Sequence, residues 1–299
     1  AELTDHGTDV LTYSPADRAH ERWMVRAVGG AGRVLGQVRE RLFSDLDLRR
    51  HHTVLDLHAG TGLLTWEALR RVPEGGVWAL ARDERSAEAL REQAAALPEL
   101  LRPTVLVGDL ARLPALLGAL PGEALRYDRI IGRNSLAAEP DKAGVARMLS
   151  EWLRPDGVVA LAETVPARGQ RLYDLVDVAL LGEPLAERLR RAEEAIYTDP
   201  ADPLVNWDAD ALREAFASAG YAEVDVETAR YTQDYLVSDA VLERWFGRAS
   251  EDGRPSYAQR LAASLSAEEI AAVRRLYETH LRGETRPWAT TVAFLRARR

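Results

Sequence analysis

The segment TVLDLHAGTGLL (residues 53–64) decides the fold of this chain. It opens with a short apolar run that carries the acidic residue Asp56, and this run predicts a buried strand. Small residues follow, including Gly60 and Gly62, and residues 63–72 have a helical pattern. Glycine lets a backbone approach a ligand closely, and the first turn of a helix offers N–H groups without helical partners. The segment therefore predicts a ligand site where the first strand ends.

The same strand-then-helix pattern recurs along the first half of the chain. Further strands are predicted over 77–81, 104–107, 127–132 and 158–162, with helices over 86–97, 113–120 and 143–153. Strands that alternate with helices at this spacing indicate crossover connections and a mainly parallel sheet. Only five such strands occur in a row, and the glycine-rich turn follows the first of them. Both features favour an α/β, doubly wound, Rossmann-like sheet over a barrel.

The second half of the chain has a different organisation. Helices are predicted over 168–195 and after the N-cap Asp208, and a capping box at Ser266 opens another. Two more strands, over 222–228 and 289–295, bring the sheet to seven. These assignments divide the chain into an N-terminal helical segment (1–52), an α/β domain (53–233 with 287–299) and a helical insertion before the last strand (234–286). We expect the insertion to close over the substrate side of the domain.

Composition excludes several classes of function. The 299 residues include no cysteine, which excludes disulfides, thiolate zinc sites and cysteine nucleophiles. A net charge of −8 argues against strong nucleic-acid binding, because domains that grip nucleic acid are usually basic. The six histidines show no metal-ligand spacing, so no metal site is expected. No membrane-spanning apolar run and no secretory signal occur, so we expect a cytoplasmic protein without a membrane partner.

Two families use a glycine turn after the first strand, and the residues at the turn separate them. Dinucleotide dehydrogenases need GxGxxG, which the run from His58 through Ala59 to Gly62 does not fit. The segment resembles instead the motif of class I S-adenosylmethionine (SAM) dependent methyltransferases, an acid followed by GxGxG. Asp56 matches the acid, Gly60 and Gly62 match the second and third glycines, and His58 stands in place of the first. The resemblance implies a Rossmann-like fold and SAM as cofactor.

The ends of the second and third strands carry the next matches to this family. There an acid ending the second strand binds the ribose hydroxyls, but the equivalent position here is Ala81, followed by Arg82 and Asp83. Either neighbour could line the site, and Asp83 could equally be an ordinary helix N-cap. At the third strand, Asp109 matches the acid that accepts a hydrogen bond from the adenine amino group, and Leu110 matches the residue packed on the ring.

The later segments extend the resemblance and narrow the chemistry. Residues 127–134 resemble the strand that ends beside the methionine part of SAM, which places Asn134 there. Residues 153–163 and 288–295 resemble the family's fifth strand and its last, antiparallel one. The run after the fourth strand lacks the Asp/Asn-Pro-Pro-aromatic motif of nucleic-acid amino-methyltransferases, and cytosine C5 methylation needs a cysteine. The resemblance implies cofactor binding by Asp56, His58, Ala59, Gly60, Gly62, Arg82, Asp109, Leu110 and Asn134.

The methyl acceptor and a catalytic residue are left open by the sequence. SAM is already activated, so positioning and exclusion of water can supply much of the catalysis, and a general base is optional. The candidates near the expected site are Glu163, Arg133 as an anion clamp, Tyr13 and Tyr257. None is assigned as catalytic.

A second hypothesis is a binding module that keeps the fold and is catalytically weak or inactive. His58 in place of the first glycine and Ala81 in place of the ribose acid both favour it. LLTWEALRRVPEGGV (63–77) is also similar to methyltransferase-like segments that accompany AAA+ replication-recombination ATPases. That resemblance implies an AAA+ ATPase partner, and the absence of an initial Met would suit a domain taken from a longer chain.

Overall fold

A computed structural model of the protein describes residues 31–121, 125–247 and 254–299. Most of the predicted N-terminal helical segment, residues 1–30, lies outside the described residues, and its described part contains helix α1 (Ala31–Ser44). The strands are β1 (Thr53–Asp56), β2 (Gly76–Ala81), β3 (Thr104–Val107), β4 (Tyr127–Arg133), β5 (Leu153–Thr164), β6 (Glu223–Leu236) and β7 (Thr285–Arg298). The other helices are α2 (Leu63–Arg71), α3 (Glu84–Ala94), α4 (Leu113–Gly118), α5 (Lys142–Glu151), α6 (Glu183–Tyr197), α7 (Ala209–Ser218), α8 (Asp239–Phe246), α9 (Tyr257–Leu261) and α10 (Ala267–Leu281).

All seven strands form one sheet in the order β3-β2-β1-β4-β5-β7-β6. β1 to β5 run parallel, and β7 is antiparallel to both of its neighbours. The predicted seven-stranded, mainly parallel, doubly wound sheet is therefore confirmed. The strand order reverses between β1 and β4, and open parallel sheets bind ligands at such a switch point, outside the carboxyl ends of the strands.

β1 lies at the centre of the sheet, which explains its continuous apolar sequence. Val54, Leu55 and Asp56 are fully buried because helices cover both faces of the sheet at this point. Leu55 joins the large core on one face, and Val54 joins the core beneath α1 and α2 on the other. The buried strand fixes the position of the turn that follows it.

The local helix-start signals in the sequence are confirmed. The Asp208 side chain accepts hydrogen bonds from the backbone of Asp210 and Ala211 at the start of α7. Ser266 and Glu269 form the expected capping box at the start of α10. Such signals are readable because a cap depends only on residues within one turn of the chain.

The predicted helix over 168–195 is wrong in its first half. Three short 3₁₀ turns occupy Pro166–Arg168, Leu172–Leu175 and Val178–Leu181, and only α6 is a regular helix. Gly182 explains the break, because its φ of 81° is a left-handed conformation that cannot continue an α-helix. α6 starts directly after it.

β6 and β7 are longer than the sequence predicts. They pair along their whole length, from Glu223 opposite Arg298 to Leu236 opposite Thr285. β5 pairs only with the last part of β7, so the rest of the pair is a two-stranded ribbon that leaves the sheet. Helices α8 to α10 lie between the two ribbon strands in the chain, which confirms a helical insertion before the last strand.

The insertion shares its core with the sheet domain. Trp245 and Tyr277 are fully buried in the same apolar cluster as Leu55. The Tyr257 hydroxyl of the insertion also donates a hydrogen bond of 2.6 Å to Glu193 in α6. Its treatment as a separable domain, and its closure over the substrate side, stay predictions. Within the part of the chain that the structure describes, no helix is both long and apolar enough to cross a membrane.

Candidate cofactor-binding site

A cleft of about 230 Å³ lies at the carboxyl ends of β1 to β4. It combines apolar side chains with charged and amide groups, which is the usual composition of a small-molecule site. It is lined by Leu57, His58, Leu80, Arg82, Gly108, Asp109, Leu110, Asn134, Ser135, Ala138, Glu139, Leu204 and Arg254. The predicted site residues His58, Arg82, Asp109, Leu110 and Asn134 are thus brought together.

The two glycines of the turn after β1 have different physical reasons to be glycine. Both adopt positive φ, 52° at Gly60 and 87° at Gly62. A Cβ on Gly62 would overlap the indole nitrogen of Trp66, so this position must stay small for the start of α2 to pack. A Cβ on Gly60 would have only the His58 carbonyl within 4 Å, at 3.9 Å. Gly60 therefore presents backbone to open space.

Asp56 lies under the turn, outside the cleft wall. It is fully buried; the Thr65 hydroxyl donates to one oxygen at 2.7 Å and the His58 backbone N–H to the other at 3.1 Å. Burial raises the pKa of Asp56 to about 6, against the opposing effect of these hydrogen bonds. The contact of Asp56 with a cofactor stays a prediction, and the geometry supports an effect through the shape of the turn. Ala59 is buried beneath the turn as well.

His58 connects the ends of β1 and β4. Its Nδ1 lies 2.9 Å from the Arg133 carbonyl oxygen. A carbonyl can only accept, so in this contact Nδ1 carries the hydrogen. The imidazole thus lines the cleft at the place where the motif usually has no side chain.

At the end of β2, Ala81 and Arg82 lie in different surroundings. Successive side chains of a strand point to opposite faces. Leu80 and Arg82 line the cleft, whereas Ala81 packs with Ala59 and other small residues under α3. The position that faces the cleft is therefore Arg82. Asp83 accepts a hydrogen bond from the Ser86 backbone as the N-cap of α3, in agreement with the simpler of the two expectations.

Two residues after β3 supply one wall of the cleft. Asp109 caps a 3₁₀ turn, since one of its oxygens accepts from the Arg112 backbone N–H at 3.0 Å. The same side chain lines the cleft. Leu110 beside it is buried and also lines the cleft, which gives an apolar surface next to a carboxylate.

Asn134 holds a strained conformation at the end of β4. Its φ of 50° is left-handed, and such non-glycine residues concentrate at functional sites. The conformation is held in place because the Asn134 side-chain oxygen accepts a hydrogen bond of 2.9 Å from the Thr164 backbone. Asn134 also donates its backbone N–H to the Ala162 carbonyl. The chain turns sharply here and enters the cleft wall.

Of the catalytic candidates, the three that the structure describes, Glu163, Arg133 and Tyr257, do not line this cleft. Glu163 is fully buried and accepts hydrogen bonds from the loop after β4. Tyr257 is buried against Glu193, and Tyr13 lies outside the described residues. Arg133 contributes its carbonyl to His58. Among the residues that the structure describes, no three His, Cys, Asp or Glu side chains come together as a metal site.

Glu139 is an acidic residue of the cleft that sequence reasoning missed. It lines the cleft, and burial together with the nearby charge of Asp109 raises its pKa. Leu204 and Arg254 reach the same cleft from segments far along the chain. No local motif marks these residues, and only the placement of the helices after β5 brings them here.

Two solved protein structures resemble this chain along most of its length. No protein-family model matches the sequence, and no curated protein matches it. The YcgJ protein from Bacillus subtilis is 14% identical, with 90% of this chain and 98% of that chain covered and a TM-score of 0.51. The mycolic acid cyclopropane synthase CmaA1, solved with S-adenosylhomocysteine (SAH) and CTAB, is 16% identical, with coverages of 96% and 90% and a TM-score of 0.50.

The chain has the class I SAM-dependent methyltransferase fold. The cleft described above lies at the switch point of this sheet, where the strand order reverses between β1 and β4. At 14% and 16% identity the two likenesses establish the architecture, and the function is argued separately from the site.

Proposed function

We propose that this protein binds SAM and transfers its methyl group to an acceptor. One observation carries the proposal: the cleft of this methyltransferase fold is lined by five of the residues that the sequence motifs mark for the cofactor. The runner-up cofactor is a nicotinamide dinucleotide. It is disfavoured because the turn lacks GxGxxG and because an antiparallel β7 separates β5 from β6.

The residues of the cleft fit the parts of this cofactor. The Asp109 carboxylate can accept from an adenine amino group, and Leu110 offers an apolar surface for the ring. The open backbone at Gly60 leaves room next to the start of α2. His58 and Asn134 line the end of the cleft beside β4, where the methionine part would be held.

The protein's own contribution to methyl transfer would be to orient the acceptor and to take the proton that the acceptor loses. The cofactor supplies an activated methyl group when bound, so holding the acceptor in line supplies much of the rate. Glu139 is the carboxylate in the cleft with a raised pKa, which suits it to take the proton that leaves the acceptor heteroatom. We infer no particular acceptor from these groups.

A binding module of low or absent activity is the second candidate. The observation that favours it is that His58, in place of the motif's first glycine, and Arg82, next to the Ala81 that replaces the acid, both line the cleft. Partnership with an AAA+ ATPase rests on the sequence resemblance alone. A cytoplasmic location likewise stays a prediction.

Calorimetric titration with SAM, SAH and NADH separates the two cofactor classes. We expect micromolar binding of SAM or SAH, and binding of NADH alone would reject the proposal. Gly60→Val should abolish binding, because a branched side chain would enter the open space above the turn. Gly220→Val is the matched control: Gly220 also has a left-handed φ, and a Cβ there would have nothing within 4 Å, but it precedes β6, an edge strand four places from β1 in the sheet.

A further inference from the structure

One wall of the cleft is a single short turn after β4. We call residues 134–139 the β4 turn. Asn134, Ser135, Ala138 and Glu139 of this turn line the cleft. The turn contains the strained Asn134 and a hydrogen bond from the Glu139 backbone N–H to the Leu136 carbonyl. Its shape therefore sets the shape of the wall.

Glu163 binds the N–H side of the β4 turn from below. One of its oxygens accepts from the Ser135 backbone and hydroxyl, both at 2.9 Å. The other accepts from the backbone N–H groups of Leu136 at 3.1 Å and Ala137 at 3.0 Å. Glu163 is fully buried, and all four of these donors belong to the turn.

Lys142 binds the carbonyl side of the same turn. Its Nζ donates to the carbonyls of Ala137 at 3.2 Å and Glu139 at 2.9 Å. A third hydrogen bond, 3.3 Å long, goes to the carbonyl of Pro203, the neighbour of the cleft residue Leu204. Lys142 thereby connects the β4 turn to a second part of the cleft wall.

The two buried charges complement the turn electrostatically. The anion accepts from the turn's N–H groups and the cation donates to its carbonyls, which matches the direction of the peptide dipoles. Burial raises the pKa of Glu163, against the opposing effect of its hydrogen bonds. Burial lowers the pKa of Lys142 to about 8, against the opposing effect of the charges of Glu163 and Glu139. Burying charged groups seldom gains stability over apolar packing, so a specific geometry is the better reason for the presence of these two.

We propose that Glu163 and Lys142 are positioning residues that hold the β4 turn in the shape that binds the cofactor. The inference rests on the proposed function for its ligand. Neither residue touches the acceptor or the cofactor in this account. They act through the turn, whose Asn134 and Glu139 face the cleft.

Three variants test the inference. Glu163→Gln keeps the size of the side chain but turns an NH₂ group toward backbone donors. Lys142→Met keeps much of the packing and removes three hydrogen bonds. Ser135→Ala removes only the hydrogen bond from the Ser135 hydroxyl to Glu163 and leaves the carboxylate in place, so this variant replaces Glu163→Gln in the test if Glu163→Gln does not fold. Glu193→Gln is the matched control, because Glu193 is another fully buried carboxylate that accepts backbone N–H groups, away from the cleft.

The affinity for SAH is measured by calorimetry at a temperature where each variant is folded, and amide hydrogen exchange is followed across the β4 turn. We expect Glu163→Gln and Lys142→Met to lose about tenfold or more in affinity, the effect of one charged hydrogen bond. Ser135→Ala should lose less, and Glu193→Gln should match the parent. Exchange at residues 135–137 should accelerate in Glu163→Gln and not in Glu193→Gln.

Two results would overturn the positioning role. Parent-like affinity in both Glu163→Gln and Lys142→Met is one, and an equal loss in Glu193→Gln is the other. If the parent binds no SAH, the proposed function fails, and exchange alone decides the inference: unchanged protection of residues 135–137 in Glu163→Gln rejects it.

Discussion

Arg82 offers a sharp test of how the cofactor lies in the cleft. Arg82, which directly follows the last residue of β2, lines the cleft, whereas Ala81 packs in the apolar cluster under α3. In the resembled family an acid at the end of the second strand accepts hydrogen bonds from the ribose hydroxyls. The matching position in this sequence is Ala81, but its neighbour Arg82 is the residue that lines the cleft. Arg82→Asp supplies that acid and removes the guanidinium from the wall.

The expected gain follows from the strength of one charged hydrogen bond. A carboxylate that accepts from a hydroxyl contributes about 1.5–3 kcal/mol, which corresponds to roughly ten- to a hundredfold in affinity. Ala81→Asp is the comparison variant. Ala81 is fully buried, so an aspartate there would place an unpaired carboxylate among apolar groups and cost about 3–5 kcal/mol of stability.

Titration with SAH and urea unfolding of both variants give the answer. We expect Arg82→Asp to bind more tightly than the parent with little change in unfolding, and Ala81→Asp to be strongly destabilised without a gain in affinity. Weaker or equal binding by Arg82→Asp, or tighter binding by Ala81→Asp, would refute the assignment of the ribose position.

Three further predictions concern stability. Gly62→Ala should destabilise the protein by about 1–2 kcal/mol because of its left-handed backbone, with a further loss from the overlap with Trp66. Trp66→Ala removes that overlap, so Gly62→Ala should cost less in the Trp66→Ala background. Urea unfolding of the two single variants and the double variant measures this coupling, and strictly additive effects would contradict it. Asp56→Ala leaves two buried donors unpaired and should lower the free energy of unfolding by roughly 3 kcal/mol in chemical denaturation; an unchanged midpoint would count against it. Burial raises the pKa of Glu193 from 4.5 to about 7, so the folded chain binds this proton more tightly than the unfolded chain, and its contribution to stability is lost as the pH rises from about 4.5 to 7. The free energy of unfolding of the parent, measured relative to that of Glu193→Gln, should therefore fall by on the order of 3 kcal/mol between pH 4.5 and 7. A difference between the two proteins that stays constant with pH would show that the pKa of Glu193 is not raised.

Local sequence signals predicted the architecture well because they depend on short-range physics. The apolar run before Asp56, the glycine turn and the Ser266 capping box each act within a few residues. The 3₁₀ turns before α6 were missed because the helical pattern there runs across Gly182, whose left-handed backbone breaks it. The full length of β6 was missed because its second half is fixed by pairing with β7, far along the chain.

The candidate site was predictable where a motif marks it and unpredictable where the fold assembles it. His58, Asp109 and Asn134 follow strand ends and reach the cleft from there. Whether Ala81 or Arg82 lines the cleft could not be read from the sequence, because neighbouring residues at a strand end can point to opposite faces. Glu139 belongs to a turn whose shape is set by contacts with β5 and α5.

A crystal structure of the protein grown with saturating SAH tests the central claim most directly. We expect the ligand in the cleft at the carboxyl ends of β1 to β4, with its adenine beside Asp109 and Leu110 and its other end between His58 and Asn134. An empty cleft closed by the His58 and Arg82 side chains, or SAH bound elsewhere on the protein, would contradict it and favour the inactive binding module.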